Sequence, residues 1–433
     1  MMNKTNRPQN VYDLAQKRLD IVFKEFDNIY VSFSGGKDSG VLLNLCIDYV
    51  RRNKLSTRIG VLHLDYEVQY KMTVDYVDRI LEDNRDILEV YRVCVPFKVG
   101  TCTSMYQAFW RPWDESKEEL WVRERPPEAL TSDSFPFFNA QMWDYEFQLR
   151  FAKWFHDKQD AVRTCCLIGI RTQESLNRWR CIHANRRQFM YHKYKWTSKV
   201  GNDIYNVYPI YDWKTTDVWV ANGKFKWDYN SLYDLYYRAG VSLEKQRVAS
   251  PFINEGQESL SLYKAIDPYT WGKMIGRVNG VNFAGLYGKT HAMGWQSVKL
   301  PEGYTWREFM YFLLSTLPER IRRNYLQKFT VSVNFWRNKG GCLGEETIEK
   351  LIKAGVHIIV MDKTNYKTQK KPVRMEYIED INIPEFREIP TYKRMCICIL
   401  KNDHACKYMG FSPTKAEMDQ RQLVMEQYKL MMS

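Results

Sequence analysis

The sequence has few of the features that would settle its class at once. No stretch approaches the roughly 18 uninterrupted apolar residues of a membrane-spanning helix. The N-terminal run MMNKTNRPQNVYDLAQKR is polar where a signal peptide needs an apolar core, so a soluble cytoplasmic protein is expected. Cysteine is sparse. Ten in 433 residues cannot build a disulfide scaffold, and in a reducing compartment clustered thiols pose a metal or redox question instead. No CxxC pair occurs. The absence of any repeat of about 20–50 residues, or of a low-complexity tract, excludes a solenoid.

What is present points to a folded protein with an anionic partner. A 45% hydrophobic and 15% aromatic content is enough for a real core, and 433 residues exceed the size of one ordinary domain. Lys and Arg number 64 against 51 Asp and Glu, a net charge of +13. That excess describes a field and cannot separate a nucleotide from nucleic acid or an acidic protein.

The apolar spacing predicts a helix over 11–26, strands over 28–33, 58–65, 88–95 and 164–170, and helices over 40–51, 73–82 and 140–157. Strands alternating with helices imply an α/β fold, a parallel sheet with helices on both faces. Residues 97–136 lack periodicity and read either as an insertion beside a site or as a surface excursion. From about 259 the pattern becomes mainly helical, with Trp306, Phe309, Met310, Leu313, Leu317 and Ile321 as a core stripe that Pro318 kinks or ends. A strand-like run over 356–361 and a basic linker lead to a cysteine cluster. Three regions are expected: a nucleotide-binding domain over 1–255, a helical domain over 256–345 and a small C-terminal α+β, Cys-rich unit over 346–433.

The sharpest motif is Val31-Ser-Phe-Ser-Gly-Gly-Lys-Asp-Ser-Gly40, between a strand and a helix. It is not a Walker A loop, because Asp38 stands where Ser or Thr should follow the lysine. The physics is related. Gly35 and Gly36 let the backbone approach an anion, which the free N–H groups and positive dipole of the helix start favour. Ser32, Ser34 and Ser39 add hydroxyls and Lys37 a mobile charge, while Asp38 either bears a magnesium ion or caps the helix.

This loop resembles the SGGxDS fingerprint of the PP-loop superfamily. Four further segments are similar to its PAPS (3′-phosphoadenosine 5′-phosphosulfate) reductase branch. They are His63-Leu-Asp-Tyr-Glu67 with Thr73, Leu167-Ile-Gly-Ile-Arg-Thr-Gln-Glu-Ser-Leu-Asn-Arg178, Tyr208-Pro-Ile-Tyr-Asp-Trp-Lys-Thr-Thr-Asp-Val-Trp219, and Tyr229-Asn-Ser-Leu-Tyr-Asp234. The resemblance implies an adenine nucleotide, ATP or PAPS, at Ser32, Ser34, Gly35, Gly36, Lys37, Asp38, Ser39, His63, Asp65, Gly169, Arg171, Glu174, Ser175 and Arg178. Lys37, Asp38 and Asp65 stand nearest the chemistry, and the backbone of Gly169 and Ile170 is expected against adenine. Arg171 and Arg178 offer planar forks for phosphate oxygens, or form a self-satisfied salt-bridge set with Glu174. Asp65 accepts from ribose, holds a metal, or only caps the next turn. Asp212, Trp213 and Asp217 read as shaping a turn and a helix start.

The departures carry as much weight. The family's Glu-Cys-Gly-Leu-His tail is missing, since the sequence closes on MEQYKLMMS, and Cys165-Cys166 fall inside a buried strand. The nucleotide site is expected to be kept and the sulfate-reducing chemistry lost. The whole chain also resembles the immunoglobulin-binding regulator A type of PAPS-reductase-domain co-activators, which implies a ParB-like partner in phage- or plasmid-linked regulation or defence.

A second cluster, Cys396, Cys398, His404 and Cys406, holds enough ligands for a tetrahedral zinc site if Cys396-Ile-Cys-Ile is extended, or is a core strand with an incidental histidine. The basic and aromatic run Arg178–Trp196 is either a DNA-binding surface or a face closing over the nucleotide. Three functions follow: an ATP pyrophosphatase that adenylates an acceptor, a nucleotide-sensing binding module, and a reductase using Cys396 or Cys406.

Overall fold

The computed structural model describes residues 10–183, 189–253, 256–287, 298–362 and 368–411. The chain divides into two compact units. One runs from the described N-terminal residues to Gly100 and from Phe109 to Val278, and the other takes Thr101–Ala108 with the described residues from Asn279 onward. The helical region expected over 256–345 is therefore shared, with 256–278 in the first unit and the rest in the second.

The first unit opens with α1 (Val11–Glu25), β1 (Asn28–Ser32), α2 (Lys37–Asn53), β2 (Ile59–Leu64), α3 (Lys71–Glu82) and β3 (Leu88–Val93). A short hairpin, β4 (Val99–Gly100) and β5 (Phe109–Trp110), precedes α4 (Asp144–Lys158) and β6 (Thr164–Ile168). Then come α5 (Leu176–His183), β7 (Thr197–Gly201), β8 (Ile204–Val207), α6 (Thr215–Phe225), α7 (Leu232–Arg238), α8 (Gln257–Ile266) and α9 (Pro268–Arg277). The main sheet runs β3-β2-β1-β6-β8-β7, with every pairing parallel except β7 with β8.

Both faces of the sheet are covered, which is why its strands read as continuous apolar runs. Ile29 and Val31 of β1 share a core with Leu19 and Val22 of α1 and with Val41, Leu42 and Leu45 of α2. On the opposite face Tyr30 meets Phe151 and Phe155 of α4 edge-on, with ring centroids 5.5 and 5.0 Å away. The expected α/β architecture is therefore present. The antiparallel edge strand β7 is an addition that no alternating pattern announced, because Thr197–Gly201 is polar. Ser32 is level with Leu62 and with Ile168. The loops after β1, β2 and β6 thus leave one edge of the sheet together, where open α/β sheets bind ligands.

The second unit contains α10 (Val281–Tyr287), α11 (Trp306–Ser315), α12 (Glu319–Asn334), β9 (Gly341–Leu343), α13 (Glu345–Lys353), β10 (Ile358–Val360), β11 (Lys371–Met375) and α14 (Tyr392–Leu400). The predicted stripe is a core. Trp306, Met310, Leu317 and Ile321 are buried together with Cys396, Cys398 and Cys406, while Phe309 and Leu313 pack half-buried against them. Pro318 ends the pattern as expected, standing at the N-cap of α12 after α11 stops at Ser315. A three-stranded antiparallel sheet, β10-β11-β9, carries Leu343 and Val373 against Ile348 and Leu351 of α13.

Candidate functional site

The loop after β1 turns on Gly35, whose backbone is left-handed at φ 74°. A Cβ there would meet Val77 Cγ2 at 2.8 Å and Thr73 Cγ2 at 3.0 Å, so conformation and space both require glycine. Gly36 is the N-cap of α2 and makes no side-chain cap bond. The Tyr233 hydroxyl takes the first amide of the helix, that of Lys37, and the next ones face the position an anion takes at a helix start. The serine hydroxyls shape the loop internally. Ser39 Oγ donates to the Gly36 carbonyl at 3.1 Å and lies 3.1 Å from Ser34 Oγ, and the Ser34 amide donates to Ser39 Oγ at 3.2 Å. Ser32 is the last residue of β1.

Lys37 is buried, with its Nζ donating to the Gln246 carbonyl at 3.0 Å and standing 3.2 Å from Asp38 Oδ2. Its amide donates to the Tyr233 hydroxyl at 2.9 Å. Burial lowers the ammonium's pKa, and the Asp38 carboxylate opposes that fall. Asn230 closes the other side of the loop, donating from Nδ2 to the Gly35 carbonyl at 3.0 Å and to Thr73 Oγ1 at 2.9 Å.

The loop after β6 is pressed against α2. A Cβ on Gly169 would lie 2.9 Å from the Asp38 carbonyl and from the Ser39 nitrogen, so no side chain fits. The Ile170 amide, expected against adenine, donates to the Ile168 carbonyl at 2.9 Å. Arg171 is 2% exposed and its fork is spent internally. Its Nε donates to Asp38 Oδ1 at 2.7 Å, one terminal nitrogen reaches Thr215 Oγ1 at 3.3 Å, and the other lies 3.4 Å from Glu174. Of the two expectations for Arg171, the salt-bridge set with Glu174 is the one displayed, and the side chain also bridges two loops through Asp38 and Thr215. Arg178 also pairs with Glu174 but keeps 40% of its side chain exposed. Ser175 accepts from the Arg178 amide at 3.3 Å.

Asp65 and His63 leave β2 toward the same edge, and of the roles open to Asp65 the geometry displays the cap of the next turn. The residue is fully buried. Oδ1 accepts from the Glu67 amide at 3.0 Å and from Arg123, and Oδ2 accepts from Arg92 Nε at 3.2 Å. Burial opposes ionisation, but Arg123, His63 and Arg92 outweigh it and hold the carboxyl at about 2. Both of its oxygens are thus engaged within the protein. His63 is fully buried with Nδ1 2.8 Å from the Phe33 carbonyl, and its Nε2 has no partner. Burial lowers its pKa, which favours the neutral ring.

Glu67, which the sequence reading left without a role, is the centre of this second network. Its oxygens accept from the Trp113 amide at 2.7 Å and the Val122 amide at 3.1 Å, and from Arg277 at 2.8 and 3.0 Å. The Trp113 indole donates to the Asp65 carbonyl at 2.7 Å. The first-unit part of the 97–136 segment is therefore anchored to the end of β2.

The carboxylates around the loop do not fit a protein-held magnesium ion as they stand. Asp38 lies between Lys37 and Arg171, and Glu174 between Arg171 and Arg178. The zinc expectation is also corrected. Cys396 and Cys398 lie on α14, whose start is capped by Thr391 accepting from the Arg394 amide, and not on a strand. Alternate residues point away from each other on a helix. Cys396 Sγ donates to the Trp306 carbonyl at 3.4 Å, Cys398 Sγ to the Asp403 carbonyl at 3.5 Å, and His404 Nε2 lies 3.0 Å from the Ser104 carbonyl. Among the described residues no group of three or more His, Cys, Asp or Glu could hold a metal ion. Residues 184–188 of the basic run, 363–367 of the linker and 412–433 at the close lie outside the described residues.

The sequence reading missed Tyr233, Gln246, Asn230 and Thr215 as residues that grip the loop. The signals were the Tyr-Asn-Ser-Leu-Tyr-Asp motif for Asn230 and Tyr233 and the Tyr208–Trp219 segment for Thr215, which marked the places without saying which side chains turn toward the loop.

A phosphoadenosine phosphosulfate reductase domain matches residues 28–111, and a domain of unknown function (DUF3440) matches residues 240–420. The chain is 25% identical over 228 residues to the uncharacterized protein MJ0973 of Methanocaldococcus jannaschii, spanning 51% of this chain and 44% of that relative. Among solved structures, the PAPS reductase of Candida auris in a phosphate complex aligns with 51% of this chain and 84% of that one at 14% identity and a TM-score of 0.28. The U34-tRNA thiolase NcsA of Methanococcus maripaludis aligns with 63% of this chain and 78% of that one at 10% identity and a TM-score of 0.31. Scores this low add nothing to what the sheet order already establishes. A much stronger likeness is to the uncharacterized protein YbdN of Escherichia coli (strain K12), 33% identical over 419 residues that cover 96% of this chain and 93% of the relative. The chain therefore belongs to the family of YbdN, with a PAPS reductase-like PP-loop domain in its N-terminal half.

Proposed function

We propose that the chain binds ATP across the Ser34–Ser39 loop and cleaves it between the α and β phosphates, transferring the adenylyl group to an acceptor. The acceptor oxygen attacks the α phosphorus, the bond to the bridging oxygen breaks, and pyrophosphate leaves with the electron pair while the acceptor's proton passes to solvent. With water as acceptor the products are AMP and pyrophosphate. The observation that carries this reading is Lys37 beside the uncapped start of α2, with Asp38 held in place by Arg171. Lys37 Nζ is held by the Gln246 carbonyl and by Asp38, and exchanging the carbonyl for a phosphate oxygen puts its charge on the leaving pyrophosphate. A magnesium ion arriving with ATP would neutralise further phosphate charge.

Reduction of PAPS needs an ionisable thiol. Cys165 and Cys166 are buried in β6, where burial pushes Cys166 up to about 12, and Cys396 and Cys406 are fully buried in the second unit. The adenylating reading needs none of them.

The alternative is a nucleotide-sensing module whose output is association with a ParB-like protein or DNA. It is favoured by α5, where Trp179 is 45% exposed and stacks on His183 at 4.5 Å between Arg178 and Arg180. ATP labelled at the α phosphate decides between them. AMP with pyrophosphate, abolished in Lys37→Ala, is expected. Tight binding without turnover, even with DNA present, would favour the sensor, and ADP as the only product would falsify the assignment of the α phosphorus.

A further inference from the structure

Residues 239–250, between α7 and α8, form neither helix nor strand, yet they lie along the loop that ends β1. The Gln246 carbonyl accepts from Lys37 Nζ at 3.0 Å, and Val248 Cβ stands 3.7 Å from where a Cβ on Gly36 would be. Arg247 lies between these two anchors. Its side chain reaches across to the loop after β6, where Nη2 donates to the Glu174 carbonyl at 2.9 Å. It therefore spans the two loops that leave the same edge of the sheet, and it is only half-buried.

The other cations of this cleft each have a carboxylate. Lys37 has Asp38, Arg171 has Asp38 and Glu174, and Arg178 has Glu174. Arg247 has none among the described residues, and a neutral carbonyl is its partner. The cleft thus gathers four positive charges against two carboxylates, an excess of two. Burial lowers the pKa of Lys37 and of Arg178, Asp38 opposes the fall, and the Arg247 charge adds to it. Joining two loops does not call for such an excess, because a neutral amide donates to a carbonyl as a guanidinium does. Lys37 Nζ, besides its pairing with Asp38, rests on a main-chain carbonyl in the same way. An anion that replaced both carbonyls would neutralise the excess and gain charge-assisted bonds, roughly twice as strong as neutral ones.

We propose that Arg247 is a phosphate-contacting residue of the loop site, which exchanges the Glu174 carbonyl for an oxygen of the pyrophosphate end of the nucleotide. The assignment rests on the ATP reading and adds to it a residue outside the loop itself. Lys37 and Arg247 then grip the same end of the nucleotide, since the residue next to Arg247 already holds Lys37 Nζ. The planar guanidinium presents a fork that two phosphate oxygens can fill, which an ammonium does not. Its charge meets the charge that develops on the leaving pyrophosphate. AMP lacks that end and is bound without it.

Calorimetric titration of the full chain, with magnesium present, tests this with three probes. They are α,β-methylene ATP, in which a CH2 bridge prevents pyrophosphate from leaving, inorganic pyrophosphate, and AMP. Arg247→Gln keeps a donor for the Glu174 carbonyl and removes the charge, and Arg247→Lys restores the charge without the fork. Arg247→Gln is expected to bind the ATP analogue and pyrophosphate about tenfold or more weakly and AMP within about twofold of the native chain, with Arg247→Lys in between. Arg247→Ala, read in the same way, takes the place of the amide variant should that fail to fold. The proposal is overturned if Arg247→Gln binds the analogue and pyrophosphate as the native chain does. It is equally overturned if all three probes weaken alike, the mark of a loosened segment. Pyrophosphate keeps this result separate from the ATP reading. If the native chain binds pyrophosphate but not the analogue, the ATP reading fails and pyrophosphate alone decides Arg247; if neither binds, both fall.

Discussion

Asp38 and Asp65 stand at the same edge of one sheet and each is gripped by arginine, yet they serve different ends. Asp65 and its neighbour Glu67 are fully buried, and their oxygens are shared among three arginines and three backbone amides. Every carboxylate oxygen of this network accepts from an arginine or a backbone amide. The network spends its charge on anchoring a segment with little secondary structure of its own, since a buried carboxylate is tolerable only when fully paired. Around Asp38 the same residue types are left incomplete. The helix start is uncapped, Lys37 is held by a single carbonyl besides Asp38, and Arg178 remains partly open. Completeness, more than residue type, separates scaffold from site here.

The comparison breaks most visibly at Glu67. Glu67→Ala leaves the Arg277 guanidinium and two amides buried without partners, and a loss of about 3–5 kcal/mol in unfolding free energy is expected from urea denaturation. A loss below about 1 kcal/mol would mean that the network is not structural.

Lys37→Ala should show the opposite split. Pyrophosphate release falls by about 100- to 1,000-fold while the urea midpoint moves little, because a buried charge is removed along with its hydrogen bond. Equal losses in stability and rate would erase the distinction between the two networks.

Asp65 makes the comparison depend on pH. Its folded pKa of about 2 lies below the ordinary 3.8, so in that window the unfolded chain binds more protons and stability rises with pH. The contribution, about 2 kcal/mol, is fully present above about pH 4 and lost as pH falls toward 2. The stability gap between the native chain and Asp65→Asn should therefore narrow across that range, and a constant gap would contradict the pairing. The smallest effect is expected at Arg178, where Arg178→Ala weakens ATP binding by about tenfold, some 1.4 kcal/mol, with stability unchanged.

Much of this was legible along the chain. The glycine pair, the lysine and the strand–loop–helix context marked the loop because those requirements are local. A left-handed turn needs Gly35, and a helix start next to it needs no side-chain cap to attract an anion. Asp212, Trp213 and Asp217 were read as shaping a turn and a helix start: Asp217 accepts from the Lys214 amide at the start of α6, whereas Asp212 accepts from Arg18 and the Trp213 indole donates to the Val11 carbonyl, which ties the turn to α1. Two readings turned on contacts that local order does not show. Cys396-Ile-Cys-Ile alternates as a strand does, but all four positions are buried, so burial on every side erased the period that separates strand from helix. Arg171 has the chemistry of a phosphate fork, and Asp38, Thr215 and Glu174 reached it first.

By itself the sequence determined the strand–helix alternation from α1 to β6, the loop that ends β1, and the apolar stripe of α11 and α12, all of which depend on neighbours within a few turns of chain. Only the tertiary structure decided which charges are spent and which are left open. Gln246 and Tyr233 reach Lys37, and Arg277 reaches Glu67, from about 200 positions away. A charge pair depends on a few ångströms of separation and on the exclusion of water, and neither quantity is written in local order along the chain.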